Sequence, residues 1–212
     1  MVRVKICGIT SVADALAACE AGANSLGFNF YEKSPRLIAA SDASRIRTQL
    51  PETVEAVGVF VNTPPADVIG TAAAVRLNAV QLHGDEDPAT VSYISRTITV
   101  FKAFGVEPEF PVASLDKYTG AFAFLFDAPD TVQYGGTGHS TDWDVAQRAA
   151  KSHRIILAGG LKVSNVAAAV RIVRPYAVDV ASGVESRPGK KDQGLLREFV
   201  QEVRRAEKDL PK

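Results

Sequence analysis

The strongest constraint on this chain is an alternation that runs its whole length. Short apolar runs occur at residues 3–9, 25–30, 56–61, 79–84, 99–104, 122–128, 154–160 and 177–184, eight in all, and most of the gaps between them carry helical patterning. Near-continuous Val, Ile and Phe runs of this length suit strands covered on both faces, as in a parallel sheet. Parallel neighbours need a crossover rather than a tight turn, and an intervening helix supplies it. Strand–helix order repeated eight times therefore predicts an α/β protein, a single-domain (β/α)8 TIM barrel over residues 1–212. An open doubly wound sheet is the alternative, but eight even units close naturally.

Local signals set the helix ends. Ser11 and Asp14 have capping-box spacing, and Gly22 closes that helix. Ser41 precedes a second helix that Pro51 ends, and Pro64-Pro65 opens a third. Residues 85–96 suggest a fourth and 143–153 a sixth. Ser164 caps a seventh, and Asp192 an eighth that ends near Glu207. The fifth, at 112–118, is short and flanked by proline and glycine.

Composition excludes several function classes. Lys plus Arg and Asp plus Glu both number 24, so no net field recruits nucleic acid or an acidic membrane. An anionic ligand would have to be held by a few placed groups. Cys7 and Cys19 are the only cysteines, too few for a disulfide framework and without metal-ligand spacing. A reducing compartment is the expectation. Arg3 and Lys5 break the first apolar run, so no signal peptide is read there, and no run is long enough to span a membrane. The chain reads as cytoplasmic, as a monomer or weak dimer.

Polar residues inside apolar strands are the next clue. Alternate strand residues face the barrel interior. Lys5 and Cys7 share one face of the first strand and the apolar Val4 and Ile6 the other, so Lys5 and Cys7 point inward. Gln81, His83, Lys102, Asp127 and Asp179 also interrupt apolar strands, several near the C-terminal end where barrel enzymes keep their chemistry. Such groups either form a satisfied hydrogen-bonded layer or line a functional cavity. Lys5 and Lys102 read as electrostatic supports, with Asp179 as partner. Cys7 is open to packing or catalysis, while Cys19 on the first helix reads as packing.

Glycine-rich turns follow the later strands: Gly135-Gly136-Thr137-Gly138, Gly159-Gly160 and Ser182-Gly183. In (β/α)8 enzymes the loops after strands 7 and 8 commonly bind phosphate, helped by a short extra helix. Gly159, Gly160, Ser182 and Gly183 fall there, so a sugar phosphate or similar phosphate ester is expected. The GKS/GKT of a P-loop is absent.

Together, "KICGIT" at 5–10, "SPR" at 34–36, "VFVN" at 59–62, "QLHG" at 81–84, "FDA…GGTG" over 126–138, "LAGGL" at 157–161 and "SGVE…PGKKD" over 182–192 resemble the phosphoribosylanthranilate isomerase family. The resemblance covers nearly the whole chain, in the family's order. It implies a (β/α)8 barrel of tryptophan biosynthesis that performs an Amadori rearrangement without cofactor or metal. N-(5-phosphoribosyl)anthranilate becomes 1-(2-carboxyphenylamino)-1-deoxyribulose 5-phosphate.

Residue by residue, the resemblance makes Cys7 the general base and Asp127 the general acid. Arg36 would hold the anthranilate carboxylate. Gly136, Gly138, Gly159, Gly160, Ser182 and Gly183 would surround the phosphate. Asp179 becomes a candidate ribose contact. His83, from its place at the end of the fourth strand near the cavity mouth, either orients a neighbour through a barrel hydrogen bond or contacts substrate. Two departures concern the sixth loop: Ala128 stands where serine is expected, and residues 139–143 replace a phenylalanine before Asp-Trp. The chemistry asks for an Asp127 protonated at working pH and a Cys7 thiol with a lowered pKa. A pentose-phosphate epimerase would need more metal-ligand histidines than the three here. A dual-substrate isomerase of histidine and tryptophan synthesis would use paired aspartates. A catalytically dead barrel would not retain all three acid, base and carboxylate positions.

Overall fold

Side-chain parity along the strands decides what enters the centre of this molecule. The computed structural model describes residues 1–129 and 141–210. The strands are β1 (Arg3–Cys7), β2 (Ser25–Asn29), β3 (Glu55–Phe60), β4 (Ala79–Leu82), β5 (Thr99–Gly105), β6 (Ala123–Asp127), β7 (Ile155–Leu157) and β8 (Ala177–Val180). All neighbours pair in parallel, and β8 pairs back onto β1, so the sheet closes in sequence order as a barrel. The doubly wound alternative is thereby set aside.

Several inward residues on β3 to β8 form an apolar cluster that includes Val57, Ala79, Phe101, Ala103, Leu125 and Ile156. Inward residues on β1 are instead charged or polar, with Lys5 in register with Asp179 of β8 and Ser25 of β2. The opposite parity packs on the helices, as with Val4, Ile6, Leu26, Phe28, Phe124 and Phe126. Each such side chain contributes about 1.5–3 kcal/mol by leaving water.

The helices are α1 (Val12–Ala21), α2 (Ala40–Arg47), α3 (Pro65–Val75), α4 (Pro88–Ser95), α5 (Trp143–Ala149), α6 (Val163–Val173) and α7 (Gln193–Lys208). Between β5 and β6 the crossover is a 3-10 helix, Val112–Lys117, in the segment between Pro111 and Gly120. None of these helices is long and apolar enough to cross a membrane.

Several caps follow the expected chemistry. Gly22 takes φ 98° and closes α1, Pro65 opens α3, and Asp192 Oδ1 accepts from Leu195 N–H at 3.0 Å to start α7. Others differ. Ser11 Oγ accepts from Asp14 N–H at 3.2 Å, but the Asp14 carboxylate turns away to Lys190 Nζ at 2.8 Å, so only half of the capping box forms. Helix α2 begins at Ala40, with Ser41 inside it, and α6 begins at Val163, one residue before Ser164. There the side chain of Asn165 accepts from Lys162 N–H at 2.8 Å. After β8 comes a short 3-10 turn, Ser182–Val184, then an unforeseen hairpin of β9 (Glu185–Arg187) and β10 (Lys190–Lys191).

Candidate active site

Cys7 ends β1 at the barrel's C-terminal rim with Lys5 two residues below it on the same face. Gly27, the register partner of Cys7 on β2, makes room for both. A Cβ there would lie 2.7 Å from Cys7 Sγ and 3.2 Å from Lys5 Nζ. Lys5 is buried, and its Nζ donates to Asp179 Oδ1 at 2.9 Å. Burial works against the Lys5 charge, but Asp179 and Cys7 outweigh it and hold the ammonium above the ordinary lysine pKa.

Burial pushes the Cys7 thiol up. Lys5 and Lys191 pull it down, Asp179 pushes it up, and the net shift is upward. This reverses the lowered pKa that the sequence reading asked for: in the unliganded chain the neutral thiol is favoured. The physical reason is burial itself, the largest influence on the thiol, which Lys5 and Lys191 only partly offset.

Arg36 lies over the end of β1. Gly8, at φ 75°, permits this, since a Cβ there would collide with Arg36 Cδ. The Ser34 hydroxyl accepts from Arg36 N–H at 3.1 Å and shapes the turn after β2. The guanidinium is paired side-on with Glu185, Nε to Oε1 at 2.9 Å and Nη2 to Oε2 at 2.7 Å. Lys191, almost fully buried, donates to Glu185 Oε1 at 2.8 Å and to the Cys7 carbonyl at 2.6 Å.

Across the rim, Asp127 ends β6. Its Oδ1 accepts from Ala128 N–H at 2.8 Å, and its Oδ2 lies 3.5 Å from His83 Nε2. His83 Nδ1 lies 2.7 Å from Gln81 Nε2, so Gln81, His83 and Asp127 form a line from β4 to β6. His83 and Asp127 open on a cavity of about 390 Å3 that Glu86, Lys102, Phe104 and Tyr118 also line.

Lys102 corrects an expectation. Its neighbours Phe101 and Ala103 face the interior, so Lys102 faces the helix side. Its partner is Glu86 at 3.1 Å, not Asp179, and it also donates to the Gly84 carbonyl at 2.7 Å. Glu86 accepts from the N–H groups of Asn62 at 2.9 Å and Gly84 at 3.0 Å. The pair thereby stiffens the loop that carries His83.

Gly159 and Gly160 both adopt positive φ, 77° and 67°. A Cβ on Gly159 would collide with Thr141 Oγ1, and one on Gly183 with the Leu161 carbonyl. The loops after β7 and β8 therefore touch backbone to backbone, and the short helix at Ser182–Val184 matches the extra helix expected after strand 8. Gly136 and Gly138, with His139, lie outside the described residues. His153 stands apart from this site, beside Asp116 and the Phe124 ring. Cys19 packs on the hydrophobic core.

Glu86, Glu185 and Lys191 escaped the sequence reading, although the last two fall inside a quoted motif. Among the described residues no cluster of three His, Cys, Asp or Glu side chains is arranged to hold a metal.

The family model for N-(5'-phosphoribosyl)anthranilate isomerase matches residues 4–202. The isomerase of that name from Geobacter metallireducens is 50% identical over 206 residues, covering 96% of this chain and 100% of the relative. The crystal structure of phosphoribosyl anthranilate isomerase from Thermotoga maritima superposes with a TM-score of 0.90 at 45% identity, covering 96% of this chain and 99% of that one. A phosphoribosyl anthranilate isomerase in complex with reduced 1-(o-carboxyphenylamino)-1-deoxyribulose 5-phosphate gives a TM-score of 0.87 at 42% identity, with the same coverage.

Proposed function

The chain belongs to the N-(5'-phosphoribosyl)anthranilate isomerase family, and from that premise we propose how its residues divide the reaction. The enzyme isomerises N-(5'-phosphoribosyl)anthranilate, an aminoaldose phosphate, to the corresponding aminoketose phosphate in tryptophan biosynthesis. One (β/α)8 domain carries the activity. With both thiols free, the chain suits the reducing cytoplasm.

Asp127 is the general acid. It protonates the furanose ring oxygen as the C1–O bond breaks, leaving a protonated imine between C1 and the anthranilate nitrogen. Cys7 is the general base. It takes the C2 proton, and that electron pair forms the C1=C2 bond of an enolamine, which then tautomerises to the C2 ketone with a proton returned to C1. The cationic imine supplies the positive charge that lowers the Cys7 thiol at the moment it is needed. Arg36 holds the anthranilate carboxylate, for which its planar fork is suited. Gly159, Gly160, Ser182 and Gly183, together with Gly136 and Gly138, take the phosphate. Asp179 contacts a ribose hydroxyl, and His83 is a further substrate contact.

The observation that carries this reading is that Cys7 and Asp127 are the last residues of β1 and β6, both with inward parity, on the rim where barrel enzymes place their chemistry. The test is fluorimetric. Purified chain added to N-(5'-phosphoribosyl)anthranilate is expected to extinguish the substrate's anthranilate fluorescence. An unchanged signal at saturating substrate contradicts the reading.

A further inference from the structure

Arg36, Glu185 and Lys191 form one buried chain of charge that ends on the backbone of Cys7. Glu185 accepts from Arg36 through both oxygens and from Lys191 through Oε1, and the Gly189 N–H adds a bond at 3.3 Å. Lys191 also donates to the carbonyls of Cys7 and Ala181, at 2.6 Å and 3.2 Å. The hairpin that delivers both residues is pinned from outside. Thr10 Oγ1 donates to the Gly189 carbonyl at 2.6 Å, and Asp14 accepts from Lys190 Nζ at 2.8 Å and Lys191 N–H at 3.3 Å.

Two consequences follow from donor arithmetic. A guanidinium has five N–H donors. Glu185 takes the Nε edge, and among the described residues no group takes the Nη1 edge. Arg36 therefore keeps a second fork, presented at a fixed angle. A lysine ammonium has three donors and no acceptor. Lys191 spends its own on the Glu185 carboxylate and two carbonyls, so it cannot swing away from Cys7.

We propose that Glu185 and Lys191 are a positioning pair for the isomerase reaction, Glu185 aiming the free fork of Arg36 at the substrate carboxylate and Lys191 fixing a positive charge beside Cys7. The first half rests on the carboxylate role given to Arg36 above. The second half does not. Among the described residues, the charged groups that face Cys7 are Lys5 from β1, Asp179 from β8, Arg36 from the turn after β2, and Lys191 from the hairpin. Lys5 is cancelled by its direct bond to Asp179, whereas Glu185 is shared between two cations, so the Arg36–Glu185–Lys191 group carries a net positive charge.

The test reads Cys7 without substrate. In a Cys19→Ala chain, iodoacetamide alkylates the Cys7 thiolate, and the rate is followed against pH by mass spectrometry. Lys191→Met is expected to slow alkylation by about fivefold at a fixed pH below the midpoint, the effect of removing one nearby charge. Lys191→Arg is expected to restore the rate. Circular dichroism checks that each variant is folded. A folded Lys191→Met with the parent's alkylation profile overturns the proposal. Should Lys191→Met not fold, Glu185→Gln decides: it is expected to raise KM by about tenfold with kcat little changed, the loss of charge-assisted aiming. An unchanged KM overturns the proposal. Wild-type turnover is measured alongside, so a chain that alkylates as expected but does not isomerise the substrate counts against the reading of function and not against the Lys191 assignment.

Discussion

Lys5 Nζ and Asp179 Oδ1 meet at 2.9 Å inside the barrel, on adjacent strands and directly beneath Cys7. Both side chains are buried, so each charge depends on the other. Removing one partner leaves the other as an unpaired buried charge, a loss of about 3–5 kcal/mol. Lys5→Met is therefore expected to lower the unfolding free energy by about that amount in urea titrations, and Lys5→Met/Asp179→Asn to recover part of it. A single variant as stable as the parent contradicts the pairing.

Glu185 sets the acid limb of stability. Burial alone raises its pKa, but Arg36 and Lys191 outweigh burial and hold the carboxyl below the usual glutamate value. An acid with a depressed folded pKa adds stability above its unfolded pKa of about 4.3, and loses it as pH falls through the lower folded pKa. Urea unfolding from about pH 7 to about pH 3 is expected to show a falling acid limb in the parent. Glu185→Gln is expected to be less stable near neutrality and flatter on that limb.

The Cys7 thiol governs the opposite end of the pH scale. Burial raises its pKa, and the flanking lysines only partly offset this. The free enzyme must lose this proton to act as base, so kcat/KM is expected to go on rising through the ordinary cysteine pKa of about 8.5. A plateau reached below about pH 7 would show that the thiolate is already formed before substrate arrives.

Gly159 is expected not to accept a side chain. Its φ of 77° disfavours any L-residue, and a Cβ would collide with Thr141 Oγ1 between the sixth and seventh loops. Gly159→Ala is expected to lower the unfolding free energy by more than about 1 kcal/mol, read by thermal or urea unfolding. It is also expected to weaken inhibition by inorganic phosphate, read as a raised inhibition constant.

How far the sequence was legible follows from the range of each interaction. The barrel, its strand count and the inward turn of Lys5 and Cys7 are consequences of alternation within a few residues, so they were readable. Lys102 was misassigned because parity there depends on which of Phe101 and Lys102 faces inward, and both faces of β5 are otherwise apolar. Asp14 has the spacing of a capping box, but Lys190 arrives from 176 residues away and takes its carboxylate. Glu185 and Lys191 were invisible as site residues for the same reason. Their partners, Arg36 and Cys7, lie 149 and 184 residues away, and the hairpin that joins them has only three residues in one strand and two in the other.

The central claim is that Cys7 and Asp127 are the base and acid of one isomerisation. The most direct measurement is steady-state fluorimetry on Cys7→Ala and Asp127→Val, with folding checked by circular dichroism. Each folded variant is expected to lose about 10²–10⁴-fold in kcat, the usual contribution of a general acid or base. A folded Cys7→Ala or Asp127→Val with the parent's kcat would contradict the account.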